Sequence, residues 1–78
     1  MGCKAGVPDF MILHQGKMYC LELKRETGGR LSPEQVVMKR ELEAAGAYWA
    51  CAHGRDSAVT ILEAWGLLKP AAGQQAAA

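Results

Sequence analysis

The sequence predicts a small α/β domain, a mixed sheet flanked by helices, with its elements in the order ββαβα. Two apolar runs around a glycine-containing turn indicate a β-hairpin, and a serine-proline pair before an amphipathic segment indicates a helix. A third short apolar run and a second amphipathic segment complete the pattern. At 78 residues the chain has room for one domain, predicted over residues 1–69, followed by a disordered tail over residues 70–78.

The hairpin is predicted from apolar runs over residues 10–13 and 18–23, which flank a turn containing Gly16. Short runs joined in this way are typical of antiparallel strand pairs. Both faces of the hairpin are apolar, which indicates that other elements cover both of them. One face would hold Phe10, Ile12, Tyr19 and Leu21, and the opposite face Met11, Leu13, Met18 and Cys20.

The length of the turn decides which charged side chains meet at the open end of the hairpin. With a two-residue turn at positions 15–16, or a four-residue loop over positions 14–17, Asp9 lies directly opposite Glu22. Side chains alternate along a strand, so Lys24 projects from the same face as both carboxylates. A three-residue loop would place Asp9 opposite Leu23 instead, because the register sets the facing pairs.

A first helix is predicted over residues 33–45, and adjacent signals mark its start. Ser32 suits the N-cap, Pro33 suits the first helical position, and Gln35 completes a capping box three residues after the serine. Gly46 is suited to the C-terminal stop. The inner stripe of this helix is predicted to contain Met38, Leu42 and Ala45.

The remaining elements are a strand over residues 47–51 and a helix that begins near residue 55 and ends near Trp65. Tyr48 and Trp49 are expected to anchor the strand as buried residues. His53 is expected to follow the strand. The second helix should pack on the sheet through Ala58, Ile61, Leu62 and Trp65.

Charge and cysteine usage narrow the class of protein. The formal net charge is +1, which excludes a strongly basic protein that coats DNA non-specifically. No apolar run approaches the ~18 residues that span a bilayer, and there is no charged-then-apolar leader. The three cysteines lack C-x-x-C spacing, so they predict neither a disulfide framework nor a zinc site. A soluble, cytoplasmic protein with no membrane partner is therefore expected.

The two facing carboxylates predict a metal site. They repel each other unless a cation lies between them, and oxygen ligands favour a hard ion such as Mg²⁺ or Mn²⁺ at Asp9 and Glu22. Such an ion helps to form hydroxide and neutralises charge on a phosphodiester, which Lys24 would approach from the same face. On spacing alone, a surface ion pair is an equally good interpretation. Neither His14 nor His53 is expected to act as a general base.

The ordered motifs resemble those of a known nuclease superfamily. Pro8-Asp9 followed by Glu22-Leu23-Lys24 resembles the PD-(D/E)XK signature. A longer set, which spans most of the chain, resembles the VRR-NUC branch of that superfamily: Gly6-Val7-Pro8-Asp9, Glu22-Leu23-Lys24-Arg25, Gly29-Arg30-Leu31-Ser32-Pro33 and Gln35.

This resemblance implies a minimal restriction-endonuclease-like core, of αβββαβ type in the family, and metal-dependent hydrolysis of DNA. It implies that Asp9 and Glu22 bind Mg²⁺ or Mn²⁺ together with the backbone carbonyl of Leu23. Lys24 would polarise water or phosphate. Gln35 has two interpretations, as a catalytic residue that positions the lysine or the phosphate, and as a helix cap.

Arg25 and Arg30 are candidate substrate-binding residues, because they lie in a charged, glycine-containing connection beside the expected site. Relatives with these motifs include small viral proteins that act as dimers on branched DNA, and a repair nuclease that trims flaps. The resemblance therefore implies a structure-selective endonuclease in replication, repair or recombination. A bacterial or phage-infected host cell is the expected setting.

One departure from the family pattern leaves an alternative open. The family usually has an N-terminal helix with a further acidic residue, whereas none of the residues that precede Asp9 is acidic. The alternative is a nucleic-acid-binding module of the same fold with an incomplete metal site. A leading helix and first strand that are largely absent would leave a sheet edge and an apolar face open, which predicts a homodimer.

Overall fold

The structure is a computed structural model, described here for residues 6–68. It is a small α/β fold with a three-stranded mixed sheet and two helices, in the predicted ββαβα order. The predicted C-terminal tail lies outside the described residues. Within residues 6–68, neither helix has the length and apolar character needed to cross a membrane. The elements are β1 (Phe10–His14), β2 (Lys17–Lys24), α1 (Pro33–Ala44), β3 (Tyr48–His53) and α2 (Arg55–Ala64).

The hairpin has the two-residue turn on which the predicted site depends. His14 pairs with Lys17, and Phe10 pairs with Leu21 in the same antiparallel ladder. The two turn residues have positive φ, +51° and +79°, as a type I′ turn requires. The ladder over residues 10–14 and 17–21 has the register from which the facing of positions 9 and 22 was predicted, and it excludes the three-residue alternative. Asp9 itself lies just before β1.

The third strand completes the sheet on the other side of β2. The strand order is β1-β2-β3, and β3 runs parallel to β2 because the helix α1 carries the chain back to the starting edge. The prediction that His53 follows this strand was wrong, because it is the last residue of β3 and pairs with Lys24. The N–H of Gly54 continues the ladder by donating to the Lys24 carbonyl, at 3.0 Å.

The core lies between the sheet and its two helices. Its buried apolar residues are Tyr19, Cys20, Leu21, Met38 and Ala52.

On the α2 side, the Tyr19 ring contacts Trp65 with a centroid distance of 5.2 Å. Tyr19 also stacks on Tyr48 at 5.0 Å, yet Tyr48 remains exposed, so its prediction as a buried anchor was wrong. Ala45 is exposed as well, because α1 ends one residue earlier and Ala45 serves only as its C-cap.

Candidate functional site

The centre of the site is a hydrogen-bonded group of three side chains at the C-terminal end of β2. Glu22 is only 4 % exposed, and its Oε2 accepts a hydrogen bond from Gln35 Nε2 at 2.8 Å. Lys24 Nζ lies 3.5 Å from the same oxygen and donates to Gln35 Oε1 at 2.9 Å. A buried carboxylate requires such partners, since an unpaired charge away from water is strongly destabilising. The three groups therefore hold one another in a fixed arrangement.

Asp9, the residue before β1, lies beside this group. Its Oδ2 accepts a hydrogen bond from the backbone N–H of Leu23 at 2.9 Å, and its side chain is exposed to solvent. Strand alternation turns the N–H and C=O of one residue to the same side. The Leu23 carbonyl therefore faces the Asp9 side, whereas the next carbonyl, that of Lys24, faces β3 and bonds Gly54. The structure thus brings together Asp9, Glu22 and the Leu23 backbone.

Gln35 performs two structural roles at once. Its backbone N–H donates to Ser32 Oγ at 3.1 Å, and its Oε1 accepts from the Ser32 backbone N–H at 2.8 Å. This reciprocal pair is the capping box predicted from sequence, and it is confirmed. The same side chain bridges Lys24 and Glu22, so its amide attaches the start of α1 to the charged side chains at the end of β2.

A close backbone approach sets the path of the chain into Asp9. Gly6 has φ of +87°, and a Cβ at this position would lie 2.6 Å from the Glu34 carbonyl carbon and 2.8 Å from the Gln35 nitrogen. Any side chain here would collide with the first turn of α1. The glycine thus allows the segment before Pro8, which is buried, to cross the helix start and deliver Asp9 to the site.

The two candidate DNA-binding arginines lie in the connection from β2 to α1. Arg25 directly follows Lys24, and Arg30 follows a glycine that packs back on the start of this connection. A Cβ on Gly29 would lie 2.8 Å from Lys24 Cβ and 3.1 Å from the Arg25 nitrogen. Both arginine side chains are exposed. The folded connection therefore keeps two exposed cations beside the charged group.

The basic residues of α1 are placed differently. Lys39 Nζ lies 3.2 Å from Glu43 Oε1 and 5.4 Å from the centroid of the Trp49 ring. Lys39 therefore packs on the sheet and does not add to the exposed cations at Arg25 and Arg30. Arg40 is exposed.

Two residues that the sequence did not assign to the site lie beside it. Parallel pairing places Cys51 next to Glu22, and His53 next to Lys24, on the same face of the sheet. Burial raises the pKa of the Cys51 thiol, the Glu22 and Asp9 carboxylates raise the pKa further, and the Lys24 ammonium opposes them. Cys51 and His53 alternate along β3, so the sequence indicated that they share one face of the strand. It did not indicate that β3 pairs with β2, which is what places this face beside the site.

The donor set suits a hard cation that keeps several water ligands. Within residues 6–68, no cluster of three or more His, Cys, Asp or Glu side chains has the arrangement of a metal site. Mg²⁺ is often held by only one or two carboxylates and otherwise by water. Within residues 6–68, Glu22 Oε2 bonds Gln35 and lies beside Lys24, and Asp9 Oδ2 bonds Leu23, so Glu22 Oε1 and Asp9 Oδ1 are the carboxylate oxygens that these contacts do not use. The chain matches no family model, no curated protein and no solved structure with which it was compared.

Proposed function

We propose that this chain is a divalent-metal-dependent DNA nuclease of the VRR-NUC branch of the PD-(D/E)XK superfamily, with a minimal core of that fold. The observation that carries the proposal is the convergence of Asp9, Glu22, Lys24 and Gln35 at one end of the sheet. Two carboxylates, an ammonium group and a positioning amide are the groups that metal-assisted phosphodiester hydrolysis requires. The sequence motifs and the contacts support the same set of residues.

The roles follow from the position of each group. Asp9 and Glu22 would hold Mg²⁺ or Mn²⁺, with the Leu23 carbonyl on the same side as Asp9. The bound ion would help to ionise a water and would neutralise charge on the scissile phosphate. Within the chain, the Leu23 N–H holds Asp9 Oδ2 in place, so that one carboxylate oxygen is oriented.

Lys24 would stabilise the negative charge that develops on the attacked phosphate. Its ammonium is held by Gln35 Oε1 and Glu22 Oε2, and its side chain is partly exposed, so it is oriented and still accessible to substrate. Gln35 acts as a positioning residue, because it fixes both Glu22 and Lys24 through one rigid amide. This preorganisation lowers the cost of aligning the groups during reaction.

The test is a cleavage panel of end-labelled DNAs, comprising flap, four-way junction, plain duplex and single strand. We expect cuts on branched DNA with Mg²⁺ or Mn²⁺, and none with chelator, because the carboxylates need the ion to activate water. Absence of cutting on every substrate with either ion would contradict the proposal.

A second candidate function is a nucleic-acid-binding module that does not cut. The observation in its favour is the donor set itself, since only two carboxylates within residues 6–68 converge at the site. The same panel, read by gel shift as well as by cleavage, separates the two candidates. Binding without cutting would favour the binding module. Absence of both binding and cutting would exclude both candidate functions.

The two exposed arginines should contribute phosphate contacts. Replacing Arg25 and Arg30 by alanine should weaken DNA binding to a similar extent for every sequence. It should also flatten the dependence of log K on log salt by about two units of slope, because each cation releases one counterion. Fluorescence anisotropy over a salt series measures both effects. Arg40→Ala, on the outside of α1, is the control, and an unchanged slope in the double variant would make the two arginines ordinary loop charges.

The first strand supports a homodimeric active form. β1 is an edge strand with exposed apolar side chains on both faces, and Phe10 is 50 % and Leu13 70 % accessible. A groove of about 430 Å³ runs between this strand and the end of α1, and Leu42 lies in it. Exposed edges and apolar surface of this kind favour association, and two-fold pairing is the commonest form among soluble proteins. A second copy would also supply a second cutting site for branched DNA.

Light scattering at micromolar concentration should therefore report about twice the chain mass of 8.4 kDa. Leu13→Lys should shift the protein towards monomer, because it places a charge in the exposed apolar strand. Val37→Lys, at an exposed apolar position on α1, is the matched control and should leave the mass unchanged. A stable, active monomer over a dilution series would contradict the dimer.

A further inference from the structure

The side chains of Cys51 and His53 form a pair that the proposed hydrolysis does not use. They are two residues apart on β3 and lie on the same face, with Cys51 Sγ 3.7 Å from His53 Nε2. A zinc ion takes sulfur at about 2.3 Å and imidazole nitrogen at about 2.0–2.1 Å, which in tetrahedral geometry separates the two ligands by about 3.6 Å. The two side chains are within hydrogen-bonding distance of each other, and the same spacing suits two ligands of one ion.

The other ring nitrogen of His53 is already fixed. His53 Nδ1 lies 3.2 Å from the backbone oxygen of Arg25, and since a carbonyl oxygen only accepts, Nδ1 must carry the hydrogen. In the neutral ring, Nε2 then presents its lone pair towards the Cys51 sulfur. A histidine that ligates a metal typically donates its second N–H to a carbonyl or carboxylate in this way. This contact is independent of the spacing and indicates the same ligand.

From these two observations we propose that Cys51 and His53 bind a thiolate-preferring divalent cation such as Zn²⁺, at a site separate from the Asp9–Glu22 pair. Sulfur and imidazole select such ions over Mg²⁺. The neighbouring Glu22 adds negative charge that attracts a cation. Within residues 6–68, no third His, Cys, Asp or Glu side chain completes the set. Water would fill the positions left open at such an ion. On binding, the Cys51 thiol releases its proton to solvent.

Cobalt(II) titration of the full chain tests the binding directly, without DNA. We expect a near-ultraviolet thiolate-to-cobalt charge-transfer band that saturates at one ion per chain and is lost when Zn²⁺ displaces the cobalt. Cys51→Ser should abolish the band, and His53→Ala should weaken binding by at least ~10-fold. His14→Ala, at the far end of β1, is the matched control and should leave the titration unchanged. Circular dichroism checks that each variant is folded.

Two results would overturn this site: no charge-transfer band in the parent chain at millimolar cobalt, or a band that persists in folded Cys51→Ser. A second measurement rests on the proposed nuclease function. A cation beside Glu22 should weaken Mg²⁺ binding, so Zn²⁺ should inhibit cleavage in the parent chain at least ~10-fold more than in Cys51→Ser, each compared with its own uninhibited rate. Equal inhibition would exclude this coupling. If no DNA is cut, the nuclease proposal fails and the cobalt result still decides the metal site.

Discussion

Replacing Glu22 by glutamine should lower metal-dependent DNA cleavage by at least ~100-fold and leave the chain folded. Glutamine keeps an oxygen that can accept from Gln35 Nε2, but it cannot supply the negative charge that holds the ion. Asp9→Asn should likewise lower cleavage, because it removes a negative charge from the metal site. It should keep the fold, because the Leu23 N–H can still donate to the amide oxygen. Lys24→Ala should cause a similar loss by removing the charge that stabilises the attacked phosphate. Single-turnover rates on the best substrate of the panel measure all three effects.

A charge-matched control is available on the outside of α1. Glu43→Gln removes the same charge from an exposed residue paired with Lys39, and it should leave the cleavage rate unchanged. DNA binding by the three site variants should be lost less than cutting, since the arginines remain. Near-parent cleavage by all three in a contaminant-free preparation would show that these residues do not form the site.

The parts of the site that sequence predicted are those set by local chemistry. The two turn residues both have positive φ, and a two-residue turn fixes the hairpin register, so the approach of Asp9 to the end of β2 could be predicted from a few adjacent residues. The start of α1 was similarly fixed by Ser32 and Gln35, whose reciprocal hydrogen bonds are local. Local rules therefore predicted the hairpin register and one end of the amide bridge.

The parts that sequence did not predict depend on distant contacts. Parallel pairing joins β2 to β3 across the whole of α1, and no short motif specifies that register. The placement of Cys51 and His53 beside the site followed only from this pairing. Burial was also set by neighbours, since Tyr48 stacks on Tyr19 at the outer side of β3 and stays exposed despite its aromatic ring.

Gln35→Ala should have a large effect on both stability and cleavage, because one side chain caps the helix and orients the charged group. Losing the bond from the Ser32 N–H to Gln35 Oε1 costs about 1 kcal/mol, and leaving the buried Glu22 carboxylate without its amide donor costs about 1.5–3 kcal/mol. We therefore expect the free energy of unfolding to fall by about 3 kcal/mol, measured by urea denaturation at equal protein concentration. Cleavage should fall by at least ~10-fold, since Lys24 and Glu22 lose their common support.

Ser32→Ala separates the two roles of Gln35. It removes the hydroxyl that accepts from the Gln35 backbone, but the Ser32 backbone N–H still donates to Gln35 Oε1, so the amide keeps its place between Lys24 and Glu22. Stability should fall by about 1 kcal/mol, with the cleavage rate of the folded protein near that of the parent. If Ser32→Ala reduced cleavage as much as Gln35→Ala, the amide would act only through helix capping. If Gln35→Ala cut DNA at the parent rate, its contacts with Glu22 and Lys24 would have no part in the reaction.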